Sequence, residues 1–196
     1  MSALSLAFSG GSRMLQSSVV NAAQATAAST APPRYRSGWT QLSPKTQLSK
    51  VCPPAKDGYD FSSNCRNVIA AWSGGIADVA RNRMIIWGGG HTDYYGNELY
   101  ALNLSDETMV RLNDPGPVIS PNAENASVLA DGTPNARHTY NGLAYIAQAD
   151  RMFAFSGSMA SNSGNTDDRT WTLDLASLQW RAMDPVKGIK PKAAVG

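Results

Sequence analysis

Charge is scarce in this sequence. Asp, Glu, Lys and Arg make up 16% of the chain and nearly cancel, leaving a formal net charge of +2. No cluster of Lys and Arg is present to hold a phosphate backbone, which argues against a nucleic-acid partner. Long apolar runs are missing too, since nothing approaches the ~20 continuous apolar residues of a membrane-spanning helix. Cysteine is limited to Cys52 and Cys65, and histidine to His91 and His138. The cysteines lack CxxC spacing and have no histidine beside them, so a zinc site is not expected. There is no GxSxG elbow, no HExxH pair and no phosphate-cradling loop, because Gly88-Gly89-Gly90 lacks the Lys-Ser/Thr that would follow. No metal or cofactor is therefore expected on these residues. Glycine and proline, at 17 and 11, are plentiful, which fits a loop-rich all-β protein.

What is there is a set of short apolar runs. Met84-Ile85-Ile86-Trp87 stops at three glycines, and Leu99–Leu104 and Met109–Leu112 follow after turn residues. Runs this short, with β-branched and aromatic residues between turns, predict strands. The order then recurs. Arg151-Met152-Phe153-Ala154-Phe155 repeats Arg83–Trp87, Thr170–Leu175 repeats Leu99–Leu104, and Asp184-Pro185 repeats Asp114-Pro115. Asn141-Gly142 stands as far before the second Arg-Met as Ser73-Gly74 stands before the first. Each unit thus predicts four strands. In the first unit they are Val68–Val79, Met84–Trp87, Leu99–Leu104 and Met109–Leu112. In the second they are Thr139–Ile146, Arg151–Phe155, Thr170–Leu175 and Gln179–Met183. The second strand, apolar at consecutive positions, should be buried on both faces. A four-stranded antiparallel sheet repeated in this way reads as a propeller blade.

A hydrophobic run ending in glycines, then an aromatic, then a Trp in the last strand before a Pro-containing link, resembles the kelch repeat. That blade unit also builds the propeller of galactose-oxidase-type enzymes. The resemblance covers Val68 to Pro185. Tyr100, Trp171 and Trp180 carry it, whereas Met109 or Val110 replaces the Trp of the first unit and Ser156-Gly157 replaces the second glycine pair. It implies a kelch-type propeller with blades over 67–115 and 137–185, a long linker over 116–136, and the start of a third blade over 186–196. On this reading the ring is incomplete within these residues, and further blades or self-association are needed to cover the exposed sheet. Galactose oxidase itself would imply copper held by tyrosines and histidines with a Tyr–Cys cross-link. Neither cysteine here is paired with such a motif.

Upstream, residues 1–34 are Ala/Ser/Thr-rich and read as a disordered leader or a worn export signal. Within 35–66, Trp39–Leu42 shares with Trp180–Met183 the order Trp, two residues, a large apolar, one more, then Pro. It is expected to be an outermost strand closing the last blade, the alternative being a tethered extended segment. Cys52 and Cys65 flank a Pro/Gly/Asp-rich loop, and either a disulfide or two free thiols fits. A disulfide would imply a secreted or periplasmic protein, and free thiols leave the cytoplasm open. Asn125-Ala126-Ser127 matches a glycosylation acceptor, a pattern common by chance.

The loop between strands two and three and the link into the next blade emerge on one face. His91, Asp93, Tyr94 and Tyr95 lie in the first such loop, Arg137 and His138 end the link, and Asp167 and Asp168 lie in the second loop. Polar groups converging there would form a ligand site, and the plainer account is that they cap strand ends. The function this predicts is a propeller module binding a protein or a carbohydrate, without catalysis by this segment. The alternative is part of a secreted carbohydrate-active enzyme whose catalytic residues lie on other blades.

Overall fold

The computed structural model describes residues 37–42, 44–118, 126–160 and 166–183. The leader, Asn125 and the expected third-blade start over 186–196 lie outside them. Two four-stranded antiparallel sheets form the centre of the fold. The first runs in chain order through β1 (Gly74–Asp78), β2 (Arg83–Trp87), β3 (Tyr100–Asn103) and β4 (Thr108–Arg111). After β5 (Arg137–His138), the second sheet is built from β6 (Leu143–Ile146), β7 (Arg151–Phe155), β9 (Thr170–Asp174) and β10 (Trp180–Met183). Its spatial order is β10-β9-β7-β6. A two-stranded pairing of β5 with β8 (Ser158–Met159), not foreseen in the sequence, ties the link between the units to the second sheet.

The sequence repeat is also a backbone repeat. The spacing that takes Arg83 to Arg151 takes Trp72 to Tyr140, with φ of 55° and 43°. It also takes Asn82 to Asp150, at 48° and 49°, and Gly89 to Gly157, both at 107°. Side-chain alternation then decides how the sheets meet. In the first sheet Ile76, Ile85, Ala101 and Val110 share one row by register. In the second, Tyr145–Met152–Leu173–Trp180 and Leu143–Ala154–Trp171–Ala182 are rows on one face. These rows interdigitate in a single core with Trp87, Leu99 and Leu175. Trp87 is fully buried, its ring lies 4.7 Å from that of Trp180, and its indole N–H donates to the Asn97 carbonyl at 3.0 Å.

The repeat places Ile85 over Phe153 and Ile86 over Ala154. The inward face of the first sheet is therefore equivalent to the outward face of the second. The sheets stack head to tail rather than back to back.

The other face of the first sheet, with Ile86, Tyr100 and Met109, is covered by Leu48, Phe61, Cys65 and Val68 from the preceding segment. Both faces of β2 are buried, as its unbroken apolar run predicts, except that Met84 at its start is exposed. The covering segment forms two helical turns, α1 (Phe61–Asn64) and α2 (Asn67–Ala70), with short 3-10 turns before them. Asp60 starts α1 by accepting from the Ser62 and Ser63 amides and hydroxyls. Those bonds hold its carboxyl down at about 2. The Cys52–Cys65 disulfide ties the segment together, with Cα atoms 5.6 Å apart. Closing a loop of this size is worth roughly 3 kcal/mol.

Several boundaries differ from expectation. The strand anticipated over Val68–Val79 begins only at Gly74, because Val68 is drawn through α2 into the cover and Trp72 turns the chain at positive φ. The strand anticipated over Thr139–Ile146 begins at Leu143, since Thr139 and Tyr140 are held by the first sheet instead. Trp39–Leu42 forms no strand and Trp39 is wholly exposed, so no closing strand is made there. No sheet closes among the described residues.

Two outcomes follow. Trp87→Ala should cost about 3–5 kcal/mol, the loss typical of truncating a fully buried aromatic, measured by denaturant unfolding. An unchanged midpoint would remove Trp87 from the core. Asp60, with its pKa depressed from 3.8 to about 2, stabilises α1 fully above pH 3.8 and ceases to do so as pH falls through about 2. A carboxyl NMR titration of Asp60 with its midpoint near 3.8 would contradict the cap.

Candidate functional site

The joint between the two units brings together residues far apart in sequence. β2 ends at Trp87, and Gly89 and Gly90 turn the chain at φ of 107° and 87°. A Cβ on Gly90 would lie 2.3 Å from the Arg137 Cα, so only glycine permits this approach of loop to link. The amide of His91 then donates to the Met159 carbonyl at 3.0 Å.

With the two backbones held together, the His138 Nε2 sits 2.8 Å from the Asp93 Oδ2. The other ring nitrogen, Nδ1, lies 3.3 Å from the Tyr140 hydroxyl. The His91 ring is 5.9 Å from the His138 ring. Asn67 donates from its side chain to the Asp93 carbonyl at 2.8 Å, which fixes the loop from the side of the cover. Asp93 is 43% exposed while His138 is nearly buried, so the pair spans the boundary between core and solvent. Both ring nitrogens of His138 are engaged, one by Asp93 and the other by the Tyr140 hydroxyl. The cluster thus presents Asp93, partly exposed, at the edge of the joint.

The predicted residues divide into two groups. His91, Asp93 and His138 do come together. Arg137 and Asp167 are instead consumed in the interior. The guanidinium donates to Asp167 at 2.9 Å and to the carbonyls of Asn135, Ser156 and Ser127. It also lies 5.7 Å from the centre of the Trp87 ring. Burial pulls its pKa down, and the Asp167 charge opposes that. Four of the five N–H donors of its planar fork are engaged in the interior, so Arg137 clamps the link in place rather than facing a ligand.

Tyr94 is likewise fully buried, and its hydroxyl donates to Glu98. Tyr95 packs 5.2 Å from Tyr59 against the cover. Asp168 is exposed and joins none of these contacts. Among the described residues no group of three or more His, Cys, Asp and Glu is arranged to hold a metal ion.

Three residues escaped the sequence reading. Tyr140 completes the His138 pair. Trp72 is 69% exposed, lies 6.4 Å from the Tyr140 ring, and accepts from the Tyr140 amide at 2.8 Å through its carbonyl. Both sit at the positive-φ position just before the first strand of their units, where a large aromatic is a costly choice. That oddity was the available signal. Glu98, buried beneath Tyr94 and Tyr100, gave none. Its Oε1 accepts from both hydroxyls, its Oε2 has no partner, and burial pushes its pKa up. No protein-family model matches this sequence, and no curated protein matches it.

Breaking the buried clamp tests this division. Arg137→Ala should destabilise the fold by about 3–5 kcal/mol, because Asp167 is left buried and unpaired. His138→Gln, at the rim, should cost far less on the same denaturation curve. Equal losses would contradict the assignment.

Proposed function

We propose that this chain is part of a kelch-type propeller, two blades of a larger ring, and that its loop face binds a carbohydrate without catalysis by these residues. Head-to-tail stacking of equivalent four-stranded sheets, with β1 and β6 lying against each other, supports the propeller reading. The observation that carries the ligand reading is Trp72, exposed at the surface beside Tyr140, whose hydroxyl in turn meets His138 of the His138–Asp93 pair. The Trp72 carbonyl accepts from the Tyr140 amide, which anchors the backbone that carries the indole.

An indole offers a broad apolar face that suits the C–H side of a pyranose ring. Asp93, held by His138 and still 43% exposed, and His91 supply the acceptors and donors that sugar hydroxyls require. A flat protein interface would need a larger apolar patch than one indole and one phenol provide. A disulfide-tied cover fits a protein of an oxidising compartment, and we place it outside the cytoplasm.

A glycan array followed by titration calorimetry tests the reading. Trp72→Ala should weaken glycan binding at least about tenfold, the loss of roughly 1.4 kcal/mol. Its stability should stay within about 0.5 kcal/mol of the parent, as for other exposed positions. A parent chain that retains no glycan, or a variant that binds as well as the parent, contradicts it.

A further inference from the structure

The joint at the first sheet has an equivalent at the second, and there a slot stands in place of the contact. In the first sheet, the Thr139 hydroxyl accepts from the Gly74 amide at 2.5 Å and donates to the Trp87 carbonyl at 3.2 Å. It thereby bridges the open ends of β1 and β2, while the Tyr140 amide donates to the Trp72 carbonyl. The repeat takes Trp72, Ser73 and Gly74 to Tyr140, Asn141 and Gly142, and takes Trp87, Gly88 and Gly89 to Phe155, Ser156 and Gly157. Those six residues, with Thr139, line a pocket of ≈ 180 Å³. The pocket is the second sheet's copy of the place that Thr139 fills on the first.

The sheet face beside it gives the same answer independently. Phe153 and Thr172 are the equivalents of Ile85 and Ala101, which bury against the second sheet. On the outward side Phe153 and Thr172 share a row with Ala144 and Arg181, and Phe155 with Thr170 and Met183. Neither Phe153 nor Phe155 belongs to either hydrophobic cluster, and Met183 is 42% exposed. Thr172, almost fully buried in that row, has an Oγ1 without a hydrogen-bond partner.

We infer that this pocket and face together form a docking site for a further four-stranded sheet of the same repeat. That sheet arrives through a lead-in like Arg137-His138-Thr139-Tyr140. Its small hydroxyl residue enters the pocket and donates to the Phe155 carbonyl, and the next amide donates to the Tyr140 carbonyl. One contact differs from the first joint: the Gly142 amide is already held by the Thr139 carbonyl at 2.7 Å.

A second copy of this chain does not fit as the occupant. Its own Thr139 is engaged, and the face of its first sheet that would stack here is covered by the segment of Leu48, Phe61 and Val68. Growth of the stack is therefore one-way. The inference rests on the stacked-repeat part of the proposed function and not on the glycan. Loss of peptide docking with glycan binding retained defeats this inference alone, and the reverse defeats only the glycan reading.

The test uses the full isotope-labelled chain and a synthetic peptide with the sequence of residues 136–146 as the lead-in. NMR titration should give shifts at Tyr140, Asn141, Gly142, Phe155 and Gly157, with a Kd of roughly 1 mM or tighter. Replacing the peptide's threonine with valine should weaken binding about fivefold, the loss expected of one hydroxyl hydrogen bond. No shifts at these residues, or equal affinity for the valine peptide, overturns the inference. So does concentration-dependent dimerisation of the chain alone that perturbs the same residues, which would make a second copy the occupant.

Discussion

The structure depends on apolar burial between two sheets that are equivalent yet present opposite faces to one another. Trp87 from the first sheet is enclosed with Trp171 and Trp180 from the second, and all three sit in one core with Ile85, Met152 and Leu173. A sheet that is apolar on one face has to bury that face against another element. Its inner face must be covered by something shaped like its neighbour. The second sheet supplies that for the first, and the disulfide-tied segment supplies the cover on the other side.

That constraint explains why the rim residues meet. Once the sheets stack, the loop leaving β2 and the link entering the second unit run alongside each other. Gly90 lets the backbones touch, and Arg137, buried on Trp87, locks the link in place. His138 and Asp93 then fall within hydrogen-bonding distance as a by-product of packing, and Trp72 and Tyr140 are set at the surface by their shared backbone turn. The rim is as rigid as the joint that creates it.

Much of this was readable from the sequence. The doubled strand pattern located β2, β3, β7, β9 and β10 to within a residue, because apolar runs bounded by turns leave little freedom. The meeting of His91, Asp93 and His138 followed from counting which loops share a face.

What stayed hidden depended on contacts between distant segments. Thr139 looks like any strand threonine until its hydroxyl is seen bridging Gly74 and Trp87. Arg137 reads as a surface cation, although its fork is satisfied by three carbonyls and a buried carboxylate. The Pro/Gly/Asp-rich stretch between the cysteines reads as a loop because its few large side chains, Tyr59 and Phe61, lack helical periodicity. Trp39 matched a motif by order alone, with nothing in the described chain for it to pair with.

The central claim is that the two sheets and their joint form one cooperative stack. Native-state hydrogen exchange addresses it most directly. The account predicts that the amides of Ile85 in the first sheet, Met152 in the second, and Gly74 and Tyr140 at the joint share one opening free energy and one denaturant dependence. Separate free energies for Ile85 and Met152, with the joint exchanging at the lower one, would mean that each sheet stands by itself and would contradict it.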